Sequence, residues 1–107
     1  MTREIRLAAL NSTRITLNDT IVALEFLKSG YPVSYVCNLS TGEITHHANY
    51  FYSTIPKTIL PAGNLLVNQV SACDFTIAPQ GKIVKLIITL TDNDTSITLF
   101  QQVAIRQ

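Results

Sequence analysis

The sequence predicts an all-β fold, a compact antiparallel β-sandwich of about seven to eight short strands in which residues 1–107 form a single domain. Three observations predict it. Short runs rich in Val, Ile, Thr and Tyr recur along the chain, with turn formers between them about every 8 to 12 residues, the spacing of sandwiches and small barrels. Residues 82–105 read as one long β-hairpin. Hydrophobic residues make up 47% of the chain and charged residues only 14%, against about 25% charged in an average domain, which excludes disorder.

Imperfect alternation over residues 4–10 predicts a first strand, and Asn11-Ser12-Thr13 a turn. Residues 14–17 form a second short strand with Ile15 and Leu17 on one face, closed by Asn18-Asp19. Residues 20–28 fit two descriptions. Val22, Leu24 and Phe26 alternate with Ala23 and Glu25 as a strand does, whereas Ala, Leu, Glu and Lys favour helix. Asn18 or Asp19 could cap such a helix, and Gly30 and Pro32 could stop it. The strand is the preferred reading and a short helix at 20–28 the alternative.

Residues 32–39 read as a strand with Val33, Tyr35 and Cys37 on one face, and Ser40-Thr41-Gly42 as a tight turn. Residues 43–53 return as one long strand. Pro56 and Pro61 mark 55–64 as an edge segment or crossover loop. Residues 65–73 are a strand that continues over 74–78 after a bend, and Pro79-Gln80-Gly81 turns the chain into the closing hairpin.

In that hairpin a two-residue turn and a four-residue loop give the same register. Leu90 faces Ile97, Ile88 faces Leu99, Leu86 faces Gln101 and Val84 faces Val103, a core face with one polar intruder. The other face pairs Thr91 with Ser96, Thr89 with Thr98, Ile87 with Phe100, Lys85 with Gln102 and Ile83 with Ala104. A solvent face is polar throughout. This one turns apolar at its open end, so Ile83, Ile87, Phe100 and Ala104 call for a cover. Another part of the same chain, such as a helix at 20–28, is the simpler expectation; a subunit interface is the other.

The layout of an Asn-containing strand, an Ile-x-x-Ala-Gly turn at 59–63, the Pro79-Gln80-Gly81 turn and a final hairpin resembles, in spacing alone, small β-sandwich cytolysins of the aegerolysin type. The resemblance implies a compact β-sandwich. It contains no specific motif, and no residue's role is carried across.

The net charge is +1 and the basic residues are scattered, so the clustered Lys and Arg of a nucleic-acid surface are missing. No run approaches the roughly 18 apolar residues of a transmembrane helix. Charges in residues 1–6 occupy the place of a signal peptide's apolar region, which leaves an intracellular chain or one whose leader has been removed. Cys37 and Cys73 are isolated and lack zinc-ligand spacing; two reduced, buried thiols are expected.

No catalytic set, metal site or cofactor is predicted. His46 and His47 are adjacent, so a strand points them to opposite faces. Asp92 and Asp94 share a turn that lacks the other ligands of a calcium loop, and the four glycines are isolated. The Asn-x-Ser/Thr matches, such as Asn38-Leu39-Ser40, are read as turns. Tyr31, Tyr35, Tyr50, Phe51 and Tyr52 flank the second hairpin. On a continuous strand Tyr50 and Tyr52 share a face with His46. Tyr31, Tyr50, Tyr52 and His46 therefore form a candidate surface for a carbohydrate or a lipid head group, although such rings more often line a core.

Two functions follow as expectations. The first is a non-enzymatic structural protein that forms a homo-oligomer or binds a protein partner through the low-charge sheet surface of Ile83, Ile87, Phe100 and Ala104. The second is a small ligand-binding module built on the tyrosines.

Overall fold

The computed structural model describes residues 1–9, 12–54, 63–78 and 81–105. They form two antiparallel sheets. Strands β1 (Arg14–Asn18), β2 (Ile21–Lys28), β3 (Tyr31–Asn38), β4 (Glu43–Ala48) and β5 (Asn64–Val67) make one sheet in chain order. Strands β6 (Val70–Ile77), β7 (Ile83–Asp92) and β8 (Thr95–Ala104) make the other. The core lies between them. Leu24, Phe26, Val33, Tyr35, Cys37 and Ile44 enter it from the first sheet. Val70, Phe75, Val84, Leu86 and Val103 enter from the second. Each such apolar side chain contributes roughly 1.5–3 kcal/mol by leaving water.

Residues 20–28 settle as strand β2, and the reason they were ambiguous is visible. Leu24 and Phe26 are buried between the sheets while Ala23 and Glu25 are buried on the opposite face. A strand covered on both sides loses the polar alternation that identifies strands. β2 turns into β3 through Ser29 and Gly30, both at positive φ (51° and 81°), the pair a tight hairpin turn needs.

Of the strand expected over 4–10, Leu10 lies outside the described residues, and over residues 4–9 the strand is not there. Thr2–Ile5 is a single helical turn, α1, and only Ala8 bridges to Lys28. Ile5 and Ala8 are three apart, and a turn lets both reach the core, which a strand would forbid.

The strand expected over 43–53 stops at Ala48. Asn49 takes a left-handed φ of 74°, and Tyr52–Thr54 form a short 3-10 turn on the outer face of the five-stranded sheet. Tyr52 packs there on Ala23 and Val36. Two buried polar side chains fix this fold-back. Ser34 Oγ donates to the Tyr50 carbonyl and accepts from the Tyr52 N–H, both at 3.0 Å. The Glu25 carboxylate accepts from Ser53 N–H at 3.1 Å and Ser53 Oγ–H at 2.9 Å.

Residues 65–73 are likewise two strands. β5 belongs to the first sheet and β6 to the second, with Gln69 at φ 60° between them. Val67 and Val70 both face the core although they are three apart. One continuous strand would put them on opposite faces, so the alternation breaks where the chain changes sheets. Of the expected edge or crossover segment at 55–64, residues 55–62 lie outside the described residues, as do Asn11, Pro79 and Gln80.

The expectation of reduced thiols is also corrected. Cys37 on β3 and Cys73 on β6 face each other across the core and are joined by a disulfide of 2.07 Å, which ties one sheet to the other. The closing hairpin has the predicted register throughout, from Asp92 opposite Thr95 to Ile83 opposite Ala104.

Candidate functional site

Phe100, Ile87, Ile83 and Ala104 sit together on the outer face of the three-stranded sheet, cross-paired between β7 and β8. Phe100 is 58% exposed, Ile83 and Ala104 are exposed, and Ile87 is half-buried. The expected cover from the same chain is not met by residues 20–28, which form β2 in the other sheet. Toward the hairpin turn this face becomes a ladder of hydroxyls. Thr89 and Thr98 share a hydrogen bond of 3.1 Å, Thr91 and Ser96 one of 3.0 Å, and Ser71 and Thr91 one of 2.8 Å.

Sequence reasoning missed that β8 is bare on its inner face as well. Ile97 and Leu99 point to the core side, yet they are 57% and 48% exposed. The close backbone approach between the sheets runs through β6, from β1 and β2. Only the end of β8, at Val103, reaches the core, and the rest overhangs. An open apolar groove of about 240 Å³ lies beneath it, lined by Leu86, Ile88 and Leu99 with Met1 at one side. β8 itself contains no charged residue and no proline.

The four residues proposed from the tyrosine cluster are not brought to one surface. Tyr31 is 64% exposed beside a groove of about 220 Å³ lined by Glu4, Lys28, Pro32 and Asn49. His46 faces inward, where its ring lies 5.0 Å from that of Tyr35. Tyr50 bonds His47 on the outer side, and Tyr52 is buried against Ala23 and Val36. The break at Asn49 is the cause, because it ends the alternation that would have aligned Tyr50 and Tyr52 with His46.

Three polar networks stand in place of that cluster. Glu4 is the hub of the first. Its carboxylate meets Lys28 Nζ and His46 Nε2, each at 2.8 Å, and accepts from the Tyr35 hydroxyl. Burial alone would raise the Glu4 carboxyl, but the hydrogen bonds from Lys28 and Tyr35 and the charges of His46 and Lys28 hold it below its ordinary range. Burial and the Glu4 charge push the Tyr35 phenol far above its own.

In the second network His47 is clamped between Thr45 Oγ1, 2.8 Å from Nε2, and the Tyr50 hydroxyl at Nδ1. Burial and the neighbouring His46 depress its pKa, which favours the neutral ring. The third is Glu25, wholly buried, with Thr16 and Ser53 as donors and the Arg14 guanidinium at 3.5 Å. The alternation puts Glu25 on the face opposite Leu24 and Phe26, and nothing in it marks that face as covered.

Among the described residues no three His, Cys, Asp or Glu side chains are placed to hold a metal ion. No helix among them is long and apolar enough to cross a membrane. No protein-family model, curated protein or solved structure matches this chain.

Proposed function

We propose that this protein is a non-enzymatic, self-associating β-sandwich whose assembly surface is strand β8 with the flanking part of β7. One observation carries the reading: an uncharged ten-residue strand leaves Phe100 exposed on one face and Ile97 and Leu99 on the other. Contiguous exposed apolar surface of this kind marks interaction sites. With a net charge of only +1, little long-range repulsion opposes contact between copies.

Light scattering on the eluting protein, over a hundredfold concentration range, tests it. The parent chain should give the mass of an assembly, and Phe100→Lys or Ile87→Lys should give a monomer with the parent's circular dichroism. A parent chain that is monomeric at every concentration would refute the proposal.

A second reading is supported by Tyr31. Its open ring borders a groove that also presents Glu4, Lys28 and Asn49, a mixture of flat apolar surface and polar groups suited to a sugar or a lipid head group. Binding to a glycan array or to liposomes that is lost in Tyr31→Ala would support this reading, and no binding to either would end it.

A further inference from the structure

The two sheets end in β1, β5, β6 and β8, and natural proteins protect such edges because unpaired N–H and C=O groups invite another strand. Three of these edges carry recognised protection. β1 is five residues long and begins with Arg14. β5 has only four residues and a register shift against β4. β6 carries Asp74 and a bulge between Val70 and Ala72. β8 has ten residues, an unbroken register, no charge, no proline and no bulge.

We infer that β8 pairs antiparallel with β8 of a second copy of this chain, joining two three-stranded sheets into one continuous sheet. The inference rests on the self-association proposed above and specifies its geometry.

The occupant follows from charge and from backbone parity. An uncharged strand brought against itself opposes no like charges, and about 34 Å of edge is available for pairing. The Ile105 N–H donates to the Lys82 carbonyl at 2.8 Å, and Asp92 pairs with Thr95 at the turn. Backbone hydrogen bonds alternate along an antiparallel pair. Ile97, Leu99, Gln101 and Val103 therefore direct their backbone groups to β7, while Ser96, Thr98, Phe100, Gln102 and Ala104 direct theirs outward.

Outward groups must meet outward groups, so the register with greatest overlap sets Phe100 opposite its own copy on a two-fold axis. Thr98 then meets Gln102, and Ser96 meets Ala104. In this register Leu99 lies opposite Gln101 of the second copy and Ile97 opposite its Val103, so pairing covers the exposed Leu99 and Ile97 side chains, with the two glutamines between them, next to the groove under each β8. The contact is isologous, so it closes at a dimer.

Cysteine cross-linking and an edge-blocking proline test the geometry. Directly opposed residues in a hydrogen-bonded antiparallel pair have Cα atoms about 5.5 Å apart, within the reach of a disulfide. Phe100→Cys should therefore give a covalent, reducible dimer on oxidation. Ser96→Cys should not, since its copy would lie about 27 Å away along the strand. Thr98→Pro removes an outward N–H and leaves the β7 ladder intact, so it should weaken dimerisation at least tenfold while its melting temperature stays near that of the Phe100→Lys monomer.

An unchanged dimerisation constant in folded Thr98→Pro would overturn the edge geometry while leaving self-association standing, as would cross-linking of Ser96→Cys in place of Phe100→Cys. Should Thr98→Pro not fold, the cysteine pair decides. A parent chain that never associates would overturn both the geometry and the reading beneath it.

Discussion

Replacing both members of the disulfide, Cys37→Ala with Cys73→Ala, should cost about 4 kcal/mol. The bond joins residues 36 apart in sequence, and in the chain-entropy treatment opening a loop of that size frees the unfolded chain by about this amount. Cys37 is fully buried, so the space left by the sulfurs adds to the loss. Total stabilities of such domains are about 5–15 kcal/mol, so the bond supplies a large share. At about 4–8 °C per kcal/mol for a chain near this size, the melting temperature should fall by about 15–30 °C.

Guanidinium titration reads both parts of the argument. The midpoint should drop, and the m-value should rise because the uncrosslinked unfolded chain exposes more surface. A variant within 1 kcal/mol of the parent, with the same m-value, would refute the idea that tying the two sheets restricts the unfolded state.

Three further outcomes are expected. Gly63→Ala would place a Cβ 2.5 Å from His47 Cε1 and 2.8 Å from the His46 carbonyl oxygen, so it should destabilise by about 1–3 kcal/mol in urea; a neutral result would mean the start of β5 is not held against His47. Glu25→Leu removes the acceptor of the half-buried Thr16 hydroxyl and of Ser53, whose exposed side chain can turn to water, so it should cost about 1–3 kcal/mol in all, whereas Glu25→Gln should cost less; equal costs in urea titration would contradict the network.

Stability should also fall in acid in two steps. His47 is depressed below 6.5 by burial and by His46, so its contribution is complete above pH 6.5 and is lost as the pH drops through the lower folded value. Glu4 lies below 4.5, its hydrogen bonds and neighbouring charges outweighing burial, so its contribution is complete above pH 4.5 and is lost below that. His47→Gln should delay the decline in melting temperature until the second step, and a parent that grows more stable on acidification below pH 6.5 would contradict the assignment.

The closing hairpin was fully legible in the sequence because its order is local. Adjacent strands and a two-residue turn fix every pair from Asp92–Thr95 to Ile83–Ala104. β2 was half legible, since the signal for a strand weakens when Ala23 and Glu25 are as buried as Leu24 and Phe26. The failures all depended on distant contacts. The chain leaves its strand path at Asn49 and Gln69, two non-glycine residues at positive φ that nothing in their neighbourhood announces. Ser34 and Glu25, which hold the fold-back after Asn49, come from strands earlier in the chain.

The candidate site divides in the same way. Ile83, Ile87, Phe100 and Ala104 were found together because a local register places them. Tyr31, Tyr50, Tyr52 and His46 were separated by the turn at Asn49. The overhang that exposes Ile97 and Leu99 depends on how the two sheets sit on each other, which no strand pattern encodes.

Amide hydrogen exchange along β8, followed at high and low protein concentration, tests most directly whether this strand receives a second copy. The N–H groups of Ile97, Leu99, Gln101 and Val103 bond to β7 and should be protected at both concentrations. Those of Ser96, Thr98, Phe100 and Gln102 should be protected only in the concentrated sample and exchange freely on dilution. Equal, fast exchange of the outward set at both concentrations would contradict the account.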